Sequence, residues 1–308
     1  MMFIRSQKIL RKIIILTTSF FTILFLSISW FVFGIHVDRE FTPRFAFWME
    51  HDWSSIYKDF SALKEQVDEL NITDLFFHVG PLNPDGSLAD DLKIFTEGLD
   101  ALGTTNYAWV GSIRININLE DKIVRDKIIL SSKWLLEKGF NGIHLDIEPI
   151  LPDDTAFITL LEEMRAALPE TKISVATDEW QPDLLSRFSG SESYWTSSQF
   201  KEVAKYADQI VVMTYDTGFN DPRLYEWWVE QQTIATSNLV PEDVELFIGI
   251  PTYSEGKSFD PAVENVATGL SGFLRGYSNI RTESNKVSGI AIYSYWETDA
   301  SEFQTLKL

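Results

Sequence analysis

Eight short apolar segments, separated by longer stretches of helical periodicity, leave this chain few folds to adopt. They are RFAFWM (44–49), DLFFHV (74–79), YAWVGSIRIN (107–116), GIHLDIEP (142–149), KISVATD (172–178), QIVVMTYD (209–216), ELFIGIPTY (245–253) and GIAIYSYW (289–296). Most are β-branched or aromatic and nearly continuously apolar, as expected of parallel strands covered by helices. Between the first two, residues 54–70 carry apolar side chains at 56, 60, 63, 67 and 70, close to a 3.6-residue period. Residues 121–139 and 154–168 behave alike, with Asp154 or Thr155 placed to cap the latter helix. Strand–helix alternation demands crossover connections, and eight such units predict an α/β fold, a closed (β/α)8 TIM barrel over residues 38–308. An open doubly wound sheet is the alternative, but no glycine-rich phosphate turn follows any strand.

The N-terminus is a separate object. Arg5, Lys8, Arg11 and Lys12 lie in a basic stretch, residues 1–12, that precedes an uncharged run, residues 13–35. At about 1.5 Å of helical rise per residue that run reaches roughly 35 Å, enough to cross a bilayer core. The expectation is a transmembrane signal-anchor with a cytoplasmic N-terminus, which puts the barrel outside the plasma membrane. The alternative is a signal peptide that is cleaved to release a secreted protein, although no A-x-A-like site follows the run. Net charge −19 and a sequence pI near 4.6 are the wrong sign for a nucleic-acid binder. Cysteine is absent, which removes disulfides and thiolate metal sites. No cofactor is expected, and no feature sets an oligomeric state.

The fourth segment differs from the others. His144, Asp146 and Glu148 alternate with Ile143, Leu145 and Ile147, so the three polar groups share one face of a strand. In a parallel barrel the C-terminal ends of the strands carry the active site. A charge buried there must be paired, neutralised or functional. The face is therefore either a site or a buried polar network at the barrel mouth.

These residues resemble a family. Glycoside hydrolase family 18, the chitinases and their relatives, carries D-G-x-D-x-D-x-E on its fourth strand, and this chain has Asn141-Gly142-Ile143-His144-Leu145-Asp146-Ile147-Glu148. The family's M-x-Y-D on the sixth strand is matched in full by Met213-Thr214-Tyr215-Asp216. Trp296 stands near the end of the eighth strand, where the family has a tryptophan beneath the sugar. NPDG, Asn83 to Gly86, is similar to a turn after the second strand. The family's S-x-G-G on strand three is replaced by Gly111-Ser112-Ile113-Arg114, and two acidic positions have become Asn141 and His144.

The resemblance implies a retaining, substrate-assisted glycosidase, a divergent member, acting on glycans that contain N-acetylhexosamine: chitin-like, peptidoglycan or exopolysaccharide. Glu148 would be the general acid/base, its carboxyl raised by a crowded mouth and by Asp146. Asp146 would orient the acetamido group and Tyr215 would bond its carbonyl oxygen, with Asp216, Met213 and Trp296 lining the pocket. His144 would either pair with Asp146 and hold it ionised or lock it away from the acid. Trp48, Trp180 and Tyr253 are further strand-end aromatics that suit either sugar contact or plain packing. Two other readings stand beside this one. The first is a non-catalytic, lectin-like barrel, against which the retained Glu148 argues. The second is a metal-dependent hydrolase using H-x-D-x-E, with His78 as a further ligand and His36 and His51 more remote.

Overall fold

The computed structural model describes residues 17–19, 21–22, 43–56, 60–89, 92, 94, 96–152, 154–182, 194–252, 260–280 and 287–307. The chain divides into two units, Met1–Arg39 and Glu40–Leu308. In the first, residues 17–19 and 21–22 are helical. The expected membrane span, residues 13–35, lies mostly outside the described residues. Among those described, no helix is long and apolar enough to cross a membrane.

The second unit is a closed parallel barrel, not an open sheet. Its strands are β1 (Arg44–Met49), β2 (Ile72–Pro81), β3 (Thr105–Ile113), β4 (Gly142–Glu148), β5 (Lys172–Thr177), β6 (Gln209–Met213), β7 (Glu245–Pro251) and β8 (Val287–Tyr293), with β8 returning to β1. Helices cover them: α1 (Trp53–Ile56), α2 (Ser61–Leu70), α3 (Lys122–Glu137), α4 (Thr155–Ala167), α5 (Ser197–Val203), α6 (Pro222–Ser237), α7 (Val266–Asn279) and α8 (Ala300–Leu306). Local chemistry sets their starts. Asp154 caps α4 by accepting from the backbone N–H groups of Ala156 and Phe157 at 3.1 and 3.0 Å. Asp221 caps α6 in the same way and is followed by Pro222, whose missing N–H costs nothing at that position.

Two apolar regions form. One lies between strands and helices; the other is inside the barrel, where Ala46, Trp48, Phe76, Tyr107, Trp109, Val211, Phe247 and Ala291 pack together. The floor of the barrel is ionic. Arg44 reaches Asp74 and Glu245 at 2.9 Å each, and Gln209 Nε2 donates to Asp74 Oδ1 at 3.2 Å. Gly289 is required beside it, since a Cβ there would lie 1.9 Å from the Arg44 carbonyl oxygen. This plug faces the N-terminal ends of the strands, leaving the opposite end for chemistry.

Candidate active site

β4 delivers the expected alternation. Ile143, Leu145 and Ile147 are buried against the helices, while His144, Asp146 and Glu148 point into the barrel and its mouth. Gly142 starts the strand because a Cβ would meet the Tyr107 ring at 2.6 Å. Asn141 Oδ1 accepts the backbone N–H of Asn106 at 2.9 Å, so its amide brackets β3 to β4.

His144 does not pair with Asp146, which corrects both expectations for it. Its ring is fully buried and stacks on Phe76, with centroids 4.0 Å apart. Trp48 Nε1 can only donate, and it lies 3.1 Å from His144 Nε2; the ring proton therefore sits on Nδ1 and is donated to Ser174 Oγ at 2.8 Å. Ser174 passes its own proton toward Gln209 Oε1 at 2.6 Å, and Gln209 bonds Asp74. Burial depresses the imidazole to about 3, so it is neutral. His144 is thus the top of a polar chain that runs down to the ionic floor. Neither it nor Trp48, which is 1% exposed, is open to a bound sugar.

Asp146 takes its partner from another strand. Trp109 Nε1, on β3, donates to Asp146 Oδ2 at 2.7 Å. Asp146 and Glu148 lie within reach of each other, and Asp146 Oδ1 and Glu148 Oε1 are buried without any N–H or hydroxyl donor. A proton held within the carboxyl pair satisfies them. Burial raises both groups, but the bonds from Glu148 and Trp109 pull Asp146 back down. For Glu148, burial acts together with the charges of Asp146, Asp178 and Asp216, all in the same direction. Both carboxyls are thus held above the ordinary range, and Glu148, which burial and every neighbouring charge push the same way, is the one more strongly opposed to ionising.

Around this pair the other strand ends supply aromatic rings. Tyr215 and Asp216 follow β6, which ends at Met213 rather than at 216; Asp216 adopts φ 60°, a left-handed conformation that Asp tolerates. Gly249 leaves room for Tyr215, whose Cε1 would lie 3.2 Å from any Cβ there. Tyr215 stacks on Tyr293 with ring centroids 5.7 Å apart. Met213 packs against the interior cluster. β8 ends at Tyr293, not at Trp296, so Tyr293 is the strand-end aromatic. Burial and the carboxylates Asp146, Glu148 and Asp216 push its hydroxyl up to about 12. Trp296 lies three residues beyond, 38% exposed, edge-on to Tyr293 at 5.6 Å and to His51 at 5.9 Å. His51 in turn stacks on His78 at 4.1 Å. Trp180 is tied into the wall: Gln232 brackets its backbone N–H and C=O at 2.7 and 2.9 Å, and its indole donates to Ser197. Tyr253 lies outside the described residues.

Trp109, Tyr293 and Asp178 belong to this mouth without having been singled out in the sequence. The two-residue pleat that placed His144, Asp146 and Glu148 also puts Trp109 two positions above the inward Tyr107, and that signal was available. The NPDG turn is structural: a Cβ on Gly86 would meet the Val124 carbonyl at 2.4 Å, so the turn packs on α3. Arg114, in the departing strand-three segment, binds Asp154 at 2.6 Å and anchors the segment after β4. Among the described residues no cluster of three or more His, Asp or Glu side chains has metal-holding geometry.

Buried acids give the folded state a proton reserve. Burial first, then the Asp146 charge, raises Asp178 to about 7. Burial likewise raises Glu179, the acceptor of Trp228 Nε1 at 3.1 Å, to about 8. A folded-state pKa above the unfolded one means the folded chain holds extra protons, so stability is full below about pH 4 and falls as pH rises toward 8. Each group accounts for at most ~5 kcal/mol of that loss. Urea titrations at pH 5 and pH 8 check this, and Glu179→Gln should flatten the difference.

A parallel barrel with buried carboxyls and aromatic rings at its C-terminal mouth carries them where barrels of this kind hold their active sites. The family model for glycosyl hydrolases family 18 matches residues 125–304, more than half of the sequence, and the chain belongs to that family. Solved structures share the fold at low identity. The spore cortex-lytic enzyme SleL of Bacillus megaterium QM B1551 is 16% identical, with a TM-score of 0.61, covering 88% of this chain and 74% of that one. A chitinase from Bacteroides thetaiotaomicron is 13% identical, with a TM-score of 0.54, covering 86% of this chain and 94% of its own. The xylanase and alpha-amylase inhibitor protein XAIP-II of Scadoxus multiflorus is also 13% identical, with a TM-score of 0.52, covering 86% and 98%. None of the curated proteins matches the chain.

Proposed function

We propose that this chain is a retaining glycoside hydrolase acting on glycans that contain N-acetylhexosamine, with Glu148 as general acid/base. The observation that carries the reading is the buried Asp146–Glu148 pair, oriented by Trp109; on that pair we assign the proton to Glu148 and the charge to Asp146. A protonated carboxyl at neutral pH is what cleavage of a glycosidic bond needs on the leaving-group side. Glu148 gives its proton to the leaving oxygen while the substrate's own acetamido oxygen attacks the anomeric carbon. Asp146, negative and held by Trp109, orients the acetamido N–H and stabilises the positive charge that forms. The Tyr215 hydroxyl bonds the acetamido oxygen, Asp216 contacts the sugar, and Tyr293 and Trp296 offer ring faces to it. Glu148, now a carboxylate, then draws a proton from the incoming water.

The choice of substrate leans on what the similar proteins are: a spore cortex-lytic enzyme and a chitinase. Chitin is a polymer of N-acetylglucosamine, so an acetamido-dependent mechanism suits it. Product masses after incubation with N-acetylated oligosaccharides and wall glycans test the reading; no new product from any of them would count against it. Trp109→Phe should lower kcat roughly 10- to 100-fold, since it removes a hydrogen bond to a charged group of about 1.5–3 kcal/mol. An unchanged kcat would mean that Asp146 needs no such support.

We also propose that residues 13–35 anchor the chain with its barrel outside the plasma membrane. The uncharged length of that run and the basic residues before it support this. Protein that alkaline carbonate strips from the membrane fraction would contradict it.

A further inference from the structure

Asp178 closes the KISVATD segment, one residue past the end of β5, and the register of the barrel brings it toward the mouth. β4 and β5 pair with His144 beside Ser174 and Leu145 beside Val175. The 2.8 Å bond from His144 to Ser174 means that both side chains point inward. Side chains alternate between faces, so two further steps of the pleat carry those inward columns to Glu148 on one strand and Asp178 on the other. The β4–β5 ladder itself ends at Leu145 and Val175, but the charge of Asp178 is among those that act on Glu148, so the two carboxyls share one side of the mouth. On its other side β5 pairs with β6, Thr177 beside Val212, and Tyr215 and Asp216 follow that strand. Asp178 therefore stands between the strand that carries the acid and the strand that leads to Tyr215.

The segment that carries it is clamped. Trp195 N–H donates to the Glu179 carbonyl at 2.8 Å, and Gln181 N–H donates to the Trp195 carbonyl at 3.0 Å. Gln232 brackets Trp180 from α6, and Trp228 of the same helix holds the Glu179 carboxyl. Such bracing fixes the place of a side chain one residue away, where a free loop end would not.

The charges around the mouth give that carboxyl a task. Glu148 feels Asp146, Asp178 and Asp216, and Tyr293 feels Asp146, Glu148, Asp216 and Glu297. The groups that bear on Asp178 are Asp146 and Glu148 from β4, Tyr194 and Trp195 from the segment before α5, and Glu179 beside it. Among the described residues, none of these groups is a lysine or an arginine. Without cations, crowded like charges are relieved by protons. Burial and the Asp146 charge hold Asp178 up at about 7, so it is mostly protonated below neutral pH and loses its proton through neutrality.

We propose that Asp178 is a positioning residue of the reaction set out above: as a neutral carboxylic acid beside Asp146 and Glu148, it lets Glu148 release its own proton. The inference rests on the reading of Glu148 as the acid. In the first step the proton moves from Glu148 to the leaving oxygen, the bond from that oxygen to the anomeric carbon breaks, and the acetamido oxygen bonds the same carbon. Glu148 is left as a carboxylate beside the Asp146 carboxylate. The new cationic ring offsets one of those charges. A third, on an ionised Asp178, would oppose the step. Asp178 itself keeps its proton throughout.

The experiment is Asp178→Asn, a side chain of the same shape that stays neutral at every pH, compared with the wild-type full chain in two ways. In the pH dependence of kcat, the alkaline limb should move up by about one pH unit in the variant, because the first group to ionise has been removed. A limb that stays at its wild-type pH, with or without a uniform loss of kcat, overturns the proposal. The second readout needs no turnover: the infrared absorption of protonated carboxyl groups. The wild type should lose such a band as pH rises through about 7, and the variant should lack it. The same titrating band in both proteins would overturn the proposal. If neither protein cleaves any glycan the glycosidase reading fails, and the infrared comparison still decides whether Asp178 holds a proton.

Discussion

Glu148→Gln should abolish turnover while leaving the barrel folded. Glutamine keeps the shape and one oxygen of the side chain but cannot give a proton to the leaving group. Loss of a positioned general acid lowers rate by about 10²- to 10⁴-fold, and here the same group must also act as the base in the second step. Stability should not fall. Glu148 is a buried carboxyl next to Asp146, with Asp178 and Asp216 acting on it in the same sense, and it tolerates that place only in its protonated form. Replacing it with a neutral amide removes the cost of ionising it, so the variant should be as stable as the wild type at pH 6 and more stable at pH 9. Circular dichroism and urea titration read the fold, and product mass reads the rate. Turnover that survives in Glu148→Gln would assign the acid to another residue.

The second large effect lies at the other end of the barrel. Arg44→Met should destabilise the chain by about 3–5 kcal/mol, the usual consequence of breaking a buried ion pair from one side. Asp74 is fully buried, and Arg44 is the cation that bonds it; Glu245 shares the same guanidinium. Burial raises Asp74, while Thr73 and Arg44 hold it down. Without the guanidinium, buried Asp74 would keep only Thr73 and the Gln209 amide, while Glu245 would keep Gln209 and the Lys172 ammonium at 3.9 Å. Protonation of Asp74 would relieve its buried charge, so the loss should be smaller at pH 5 than at pH 8. Urea titration at the two pH values reads this directly. A loss below about 1 kcal/mol would show that the pair contributes no more than a surface one.

Much of the architecture was legible because it rests on short-range regularities. Apolar runs separated by helical periodicity located all eight strands, and the alternation in 143–148 identified the face that enters the mouth. Strand ends were less legible. Residues 214–216 and 294–296 continue the composition of β6 and β8, but the ladders stop at Met213 and Tyr293, and Asp216 turns to a positive φ. Hydrogen bonding to a neighbouring strand decides where a strand ends, and composition does not report it. The same cause moved the strand-end aromatic of β8 from Trp296 to Tyr293.

His144 was the least legible residue. Its neighbours in the sequence are Asp146 and Leu145, yet its partners are Trp48, Ser174 and Phe76, each from a different strand. Pairing along one strand was the natural expectation, but residues two apart on a strand are a full pleat apart, while lateral neighbours on adjacent strands are closer. Trp109 reaches Asp146 for that same reason, and the same register leads Asp178 toward the side of the mouth that holds Glu148. An inward carboxyl in a barrel answers first to the strands beside it.

The account is tested most directly by offering the purified chain one oligosaccharide in two forms, fully N-acetylated and N-deacetylated, and following the anomeric configuration of fresh product by proton NMR. Substrate assistance by the acetamido group predicts cleavage of the acetylated form alone, with retained configuration, and no cleavage by Glu148→Gln. Equal cleavage of the deacetylated form, or product of inverted configuration, would contradict it.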